Sequence, residues 1–438
     1  ITADGAFRRG KTIPLKDNIE DIMDDCPTIE KVVVVKRTGE QVEMTEGRDY
    51  WLSDLMAEAE MFVEPVPVEA NHPLYILYTS GTTGKPKGIV HSTGGYMVFN
   101  HSGYQWVFNI NEQSVYWCTA DIGWVTGHSQ LVYGPLSHGA AVVIYEGAPD
   151  YPQVDRWWDI VEKYGVSILY TSPTAVRMFM RYGEKWPQKH DLSSLELLGS
   201  VGEPINPEAW HWYYKYIGGS RCPIVDTWWQ TETGGIMISP TPGIDPLPLK
   251  PGSACFPLPG VDATVVNEEG KEADKGERGQ LLIKKPWPGM LMDIYKNSQR
   301  YKDTYWSKFP GSYYPGDFAM RDEDGYMWVM GRSDEVIKVA GHRLGTVEVE
   351  DAVAAHPAVA ETAVSSKPHE EKGEVLVVFT ILKEGKSPSD NLKEEIIKYV
   401  REAIGPIATP EDVYFVDSLP KTRSGKIMRR VLKAVASG

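Results

Sequence analysis

The stretch Thr79-Ser80-Gly81-Thr82-Thr83-Gly84-Lys85-Pro86-Lys87-Gly88 decides how this chain is read. The apolar run Leu74 to Thr79 before it has strand length and reads as a buried strand entering a loop. Three glycines let the backbone turn tightly and present N–H groups. Ser and Thr hydroxyls add donors, and two lysines add positive charge. That inventory suits a polyphosphate. The GxxxxGK[ST] order of a Walker loop is absent. A surface hairpin would have a similar composition, and the position directly after a strand favours the phosphate reading.

Working outward, other segments repeat the pattern of an apolar run followed by a loop. Lys31 to Arg37, Val166 to Tyr170, Leu195 to Val201 and Pro223 to Asp226 read as strands. Asp155 is placed to cap a helix through Tyr164, with Gly165 as its stop. Strands alternating with helices imply an α/β domain with layered, mostly parallel sheets. In such sheets ligands collect at loops beyond the strand carboxyl ends, here after Thr79, Val201 and Asp226. Residues 236–290 change character. They are rich in Pro and Gly, and Asp262 to Asn267 and Gln280 to Lys284 read as antiparallel β in a β-rich subdomain. The last hundred residues read as a small α+β domain. Thr346 is expected to cap a helix over Val347 to Ala355, Val375 to Leu382 is a strand, and Leu392, Ile396, Tyr399, Val400 and Ala403 have helical spacing.

Composition narrows the function. The chain has 438 residues, with 45 Lys and Arg against 60 Asp and Glu, a net charge of −15. An acidic surface argues against nucleic-acid binding and for small ligands. No apolar run approaches the roughly 20 residues of a membrane span. Cys26, Cys118, Cys222 and Cys255 form no CxxC pair, which predicts a reducing, cytoplasmic setting without disulfides or structural zinc.

The motifs taken together resemble those of the adenylate-forming acyl- and aryl-CoA ligases. Gly202-Glu203-Pro204 follows one strand, and Asp226-Thr227-Trp228-Trp229-Gln230-Thr231-Glu232-Thr233-Gly234 follows another. Tyr314-Pro315-Gly316-Asp317 precedes Gly331-Arg332-Ser333-Asp334, and then come Gly341-His342-Arg343 and Pro420-Lys421-Thr422-Arg423-Ser424-Gly425-Lys426. The wording of the Trp-Trp-Gln-Thr-Glu motif, and of Asp121 to His128, is similar to the acetate-activating branch, the acetyl-CoA synthetases. Members of that family carry a substantial portion ahead of the region equivalent to Ile1, so the chain is expected to be an amino-terminally truncated fragment.

The resemblance implies a large AMP-binding domain over residues 1–333, incomplete at its start, and a small C-terminal domain over 334–438 hinged at Asp334. It implies that acetate and ATP form acetyl-adenylate and pyrophosphate, and that CoA then yields the thioester and AMP. Thr79, Ser80, Gly81, Thr82, Thr83, Gly84 and Lys85 would cradle phosphate. Gly202, Glu203 and Pro204, with Asp226, Thr227, Trp228, Trp229, Gln230 and Thr231, would form the adenine slot. Asp317 would accept from the ribose hydroxyls, since an ionised carboxylate only accepts. Arg332 would assist at ribose and Arg343 at phosphate. Glu232 would hold Mg²⁺ with ATP. Lys426 would be the catalytic lysine of adenylation; read alone, a lysine near Arg423, Arg429 and Arg430 is a solvated cation. The Trp229 indole, with Val125, Thr126 and Val201, would line a short acyl pocket; read alone, Trp229 is core. Thr126, Asp150, Ala340, Gly341 and Arg401 would meet CoA. Acylation of Lys426 by a protein lysine acetyltransferase, reversed by a deacetylase, would remove its charge. A propionate-preferring ligase and a non-catalytic nucleotide- or acyl-CoA-binding fragment are the alternatives, and turnover separates the latter.

Overall fold

The computed structural model describes residues 1–79, 86–333, 337–339, 342–369, 373–421 and 427–437. They form two compact units. One comprises Ile1–Val68 and Tyr145–Asp159, the other Glu69–Ile144 and Ile160–Gly438.

In the first unit the strands Thr2–Ala3, Val32–Val35 and Asp49–Trp51 pair in parallel. The Asp4 carboxylate accepts backbone N–H bonds from Gly5, Arg37, Thr38 and Gly39 at 2.7–2.9 Å. Burial opposes its ionisation, but these four donors outweigh it and bring its pKa down to about 2. Lys16 is fully buried and is neutralised by Asp49 at 2.9 Å and by Glu20.

The second unit is built on a five-stranded parallel sheet. Its strand order is Ile224–Thr227, Leu197–Val201, Ile168–Thr171, Val115–Cys118, Ala141–Val142. The strands Ile168–Thr171, Leu197–Val201 and Ile224–Thr227 are buried throughout, in keeping with their largely apolar residues. Thr171 pairs with Ser200, Ser200 with Asp226, and Val201 with Thr227. The loops beginning at Ser172, Gly202 and Trp228 therefore leave from one carboxyl edge.

Beside this sheet, Pro73–Thr79 pairs antiparallel with Lys87–Ser92, which also pairs with Asp293–Ile294. The expected buried strand before the Gly-rich segment is instead an edge strand. Among the described residues it has a ladder partner on one side only, and its alternate residues Ile76 and Tyr78 share an exposed face. A four-stranded antiparallel sheet runs in the order Ala263–Val266, Arg278–Ile283, Asp317–Arg321, Met327–Arg332. It is the β-rich subdomain expected from residues 236–290, and it extends through Arg332.

The C-terminal stretch has its own sheet, with Gly373–Leu382 between Val359–His369 and Asp412–Phe415. Its central strand alternates sides as period two demands. Leu376 and Val378 enter one apolar cluster with Ile396 and Val400, while Val377, Phe379 and Ile381 enter another with Leu432. The helix Asp390–Ile404 is capped by Ser389 Oγ, which accepts from Leu392 N at 3.2 Å, and it ends at Gly405. Thr346 is not a cap. It is the first residue of the helix Thr346–Ala354 and is buried, with Gly345 at the N-cap. The helix begins one residue earlier than expected, which puts Thr346 inside its first turn and not before it.

Candidate active site

The loop after strand Ile224–Thr227 gathers the site. Trp228 is buried, and its Nε1 donates to Asp317 Oδ2 at 3.1 Å. Gln230 Nε2 donates to the same oxygen at 2.7 Å and to the Pro315 carbonyl at 3.0 Å. Tyr313 in turn donates to Gln230 Oε1 at 3.1 Å. Arg332 Nη1 lies 3.5 Å from Asp317 Oδ1 and donates to the Pro315 carbonyl at 2.7 Å. Asp317 opens a strand whose ladder partner is Arg332. Acceptor, guanidinium and two tethering donors thus come from sequence regions about 90 residues apart.

Glu232 belongs to the same loop. Lys87 Nζ donates to its Oε1 at 3.0 Å, and Tyr305 OH donates to the same atom at 2.5 Å. Lys87 also donates to Tyr305 OH at 2.7 Å. Burial disfavours the Glu232 carboxylate, yet the Lys87 ammonium and the Tyr305 donor outweigh it and hold its pKa below the ordinary range. His91 Nε2 lies 2.7 Å from the Thr231 carbonyl. A carbonyl only accepts, so that nitrogen carries the hydrogen. Burial brings the imidazole down to about 4, and it is neutral at physiological pH. Lys87 and His91 are four residues apart on one strand, a spacing that puts both on one face. Motif reading missed His91, because its partner, the Thr231 carbonyl, lies 140 residues away in sequence. Tyr305 and Tyr313 had no local signal; they arrive through the helix Ser298–Tyr305 and the turn after it.

The other motif residues divide. Glu203 accepts from Arg177 Nη2 at 2.9 Å and from Thr174 Oγ1. Burial opposes its charge, but Arg177 prevails and lowers its pKa. Gly202 has φ +96°, open to glycine and strained for other residues, and Pro204 follows at the same edge. Asp226 is buried and accepts from Ser200 Oγ at 2.5 Å. Burial, with Glu203 nearby, pushes its carboxyl up to about 7 against that bond and the Ile205 and Thr227 amides. Thr227 Oγ1 donates to the Ser200 carbonyl at 2.9 Å. Trp229 is half-buried, and its Nε1 donates to Tyr170 OH at 3.3 Å. It packs on the core cluster that contains Val201. Among the described residues that cluster does not include Val125 or Thr126, which open the short helix Val125–His128.

Thr79 pairs with Lys87 on either side of the Gly-rich loop. Ser80, Gly81, Thr82, Thr83, Gly84 and Lys85 lie outside the described residues, as do Asp334, Ala340, Gly341 and Lys426. Arg343 lies opposite Lys338 in an antiparallel ladder, and its side chain is outside the description. Lys421 and Ile427 pair on either side of the segment that holds Lys426. Arg401 is exposed on the helix Asp390–Ile404. Asp150 belongs to the first unit, where Arg9 Nη2 lies 2.7 Å from it. No group of three or more His, Cys, Asp or Glu able to hold a metal ion exists among the described residues. No described helix is long and apolar enough to cross a membrane.

The sequence model of the AMP-binding enzymes matches residues 5–295, and that of the AMP-binding enzyme C-terminal domain matches residues 348–426. This chain belongs to the AMP-binding enzymes. Over its whole length it is 59% identical to an acetyl-coenzyme A synthetase of Pyrobaculum aerophilum, covering 66% of that relative. It is 57% identical to one of Rubrobacter xylanophilus, covering 68%. It therefore spans about two thirds of the length of these relatives. Among solved structures it resembles the anthranilate CoA ligase AuaEII in complex with anthranoyl-AMP. The TM-score is 0.83 and the identity 28%, over 95% of this chain and 76% of that one. The AMP-binding enzyme has the α/β core, β-rich subdomain and C-terminal α+β part expected from its sequence.

Proposed function

We propose that this AMP-binding enzyme ligates acetate to coenzyme A at the expense of ATP, through acetyl-adenylate, releasing AMP and pyrophosphate. The observation that carries the reading is the single loop Trp228 to Thr233. It tethers Asp317 through two donors and presents Glu232 against Lys87, in a chain matched end to end by proteins named acetyl-coenzyme A synthetase.

Asp317 would accept from the ribose hydroxyls while Trp228 and Gln230 fix its orientation. The Gly-rich loop Thr79 to Lys85 would receive phosphate oxygens, and Lys87 at its base adds a positive charge. Mg²⁺ bound with ATP would neutralise phosphate charge. Glu232 suits it, because a hard divalent cation needs an ionised oxygen ligand, often only one or two from the protein, and Glu232 is held ionised. Gly202 to Pro204 and Asp226 to Thr231 would frame the adenine, and Arg332 and Arg343 would serve ribose and phosphate. Trp229, with Val125, Thr126 and Val201, would restrict the acyl pocket to a short chain. Lys426 would draw the carboxylate and the α-phosphate together as a point charge. We place the small domain at residues 334–438 with its hinge at Asp334, and CoA at Thr126, Asp150, Ala340, Gly341 and Arg401. Acylation of Lys426 would stop adenylation.

Acetate-dependent exchange of labelled pyrophosphate into ATP tests this, with propionate and butyrate alongside. Exchange strongest with acetate supports the assignment. Exchange strongest with propionate or butyrate overturns the acetate preference, and none with any acid, by a folded chain that binds ATP, overturns adenylation by these residues alone.

A further inference from the structure

Tyr305 has no part in the proposed mechanism, yet it is among the most deeply placed polar side chains of the site. It is the last residue of the helix Ser298–Tyr305 and is 2% exposed. Its ring stacks on Tyr313 with centroids 5.3 Å apart and planes 21° from parallel. Lys87 Nζ sits 5.0 Å from the ring centroid as well as on the hydroxyl.

The hydrogen-bond directions are fixed by chemistry. An ammonium has donors only, and a phenol has one hydrogen. Lys87 therefore donates to Tyr305 OH, and the phenol hydrogen goes to Glu232 Oε1. The two donors on Glu232 differ in what a polyphosphate would do to them. Lys87 is a cation on a flexible four-carbon stem, and phosphate attracts it. Tyr305 is neutral, and its ring is pinned by Tyr313.

We propose that Tyr305 is a positioning residue for Glu232, holding the carboxylate in place for a divalent cation when Lys87 turns to the phosphates of the nucleotide. This rests on Glu232 being the metal-binding carboxylate of the proposed function. It gives Tyr305→Phe a selective signature, because the ring stack survives and only the donor is lost.

The test is equilibrium binding of ATP to the full chain, with Mg²⁺ and separately with EDTA, for the unsubstituted protein, Tyr305→Phe, Glu232→Gln and the double variant. Urea midpoints of each variant serve as the folding control. Loss of a hydrogen bond to a charged group predicts roughly tenfold or more weaker binding for Tyr305→Phe in Mg²⁺. In EDTA the affinity should stay within about twofold, and Tyr305→Phe should add nothing once Glu232 is Gln. Equal loss in Mg²⁺ and EDTA, no loss in Mg²⁺, or a full further loss in the Glu232→Gln background each overturns the role of Tyr305 and leaves the nucleotide reading standing. An unsubstituted chain that binds ATP under neither condition overturns both.

Discussion

Replacing Lys87 by Met keeps the aliphatic stem and removes the ammonium from beside Glu232. The two charges are 3.0 Å apart, and both side chains are largely buried. At an effective dielectric of about 20, unit charges at that separation attract by roughly 5–6 kcal/mol. Burial opposes this attraction, and removing one partner of a buried pair typically costs about 3–5 kcal/mol. The pH dependence identifies the cause. With Lys87 present, the folded pKa of Glu232 lies below its unfolded value. Its contribution is therefore complete above the unfolded pKa and is lost as pH falls through the folded one. Without Lys87, burial dominates and the folded pKa rises above the unfolded value. The unfolded chain then releases its proton first, and stability falls as pH rises through that window. At pH 5 a proton stands in for the ammonium, and the loss should be only about 1–2 kcal/mol; at pH 8 it should reach about 3–5 kcal/mol. Urea unfolding midpoints at pH 5, 6.5 and 8 measure this for Lys87→Met, Glu232→Gln and the double variant. The double variant leaves no charge and should recover more than half of the pH 8 loss. Equal losses at pH 5 and 8 together with additive single effects would refute a buried pair at this position.

Three further outcomes come from the same geometry. Asp226 has a folded pKa of about 7, raised by burial, so its stabilising contribution declines as pH rises from the unfolded range through 7. Between pH 5 and 8 the native chain should lose up to about 3 kcal/mol relative to Asp226→Asn, and parallel stability–pH curves would contradict this. Gly234 has φ +74°, and a Cβ there would sit 2.3 Å from the Gly289 carbonyl oxygen, so Gly234→Ala should lower stability by roughly 2–5 kcal/mol in urea titrations. Trp229→Gly should move kcat/KM toward longer acids, each extra methylene contributing about 1–3 kcal/mol, and an unchanged order from acetate to valerate would remove Trp229 from the acyl pocket.

The sequence made the α/β core legible because its strands are largely apolar runs with loops at one edge, and Leu197–Val201 and Ile224–Thr227 lie where those runs were read. One helix stop was equally clear, since Gly165 has φ +60° directly after the helix Arg156–Tyr164. The helix that Leu392, Ile396 and Val400 anchor lies where their spacing put it. The reading failed where a local pattern has two physical outcomes. The run Leu74 to Thr79 is apolar enough for a buried strand, but packing on each sheet face decides burial, and the face with Ile76 and Tyr78 is left exposed. Thr346 has a capping hydroxyl that tertiary packing buries. In the site, motif residues were found by their types, whereas Tyr305, Tyr313 and His91 were not, because a Tyr at a helix end or a His in a strand carries no message until its partner is in place.

That difference points to how the site is built. The loop from Trp228 to Thr233 has little regular structure, yet several of its polar groups are held by distant elements. Trp228 and Gln230 hold Asp317, His91 holds the Thr231 carbonyl, Lys87 and Tyr305 hold Glu232, and Trp287 Nε1 donates to the Thr233 carbonyl at 2.8 Å. These links bind the loop to an antiparallel hairpin, a helix end and the β-rich subdomain. Each tie restricts one group of the loop or its partner, so the acceptor Asp317 and the carboxylate Glu232 are already oriented before any nucleotide arrives. Pre-set geometry lowers the ordering cost of binding a flexible triphosphate. It also explains why the tethers are neutral donors such as indole, amide, imidazole and phenol. Indole, amide and phenol orient the two carboxylates without cancelling the charge they must present, and the cations beside them, Lys87 at Glu232 and Arg332 at Asp317, sit on one oxygen of each.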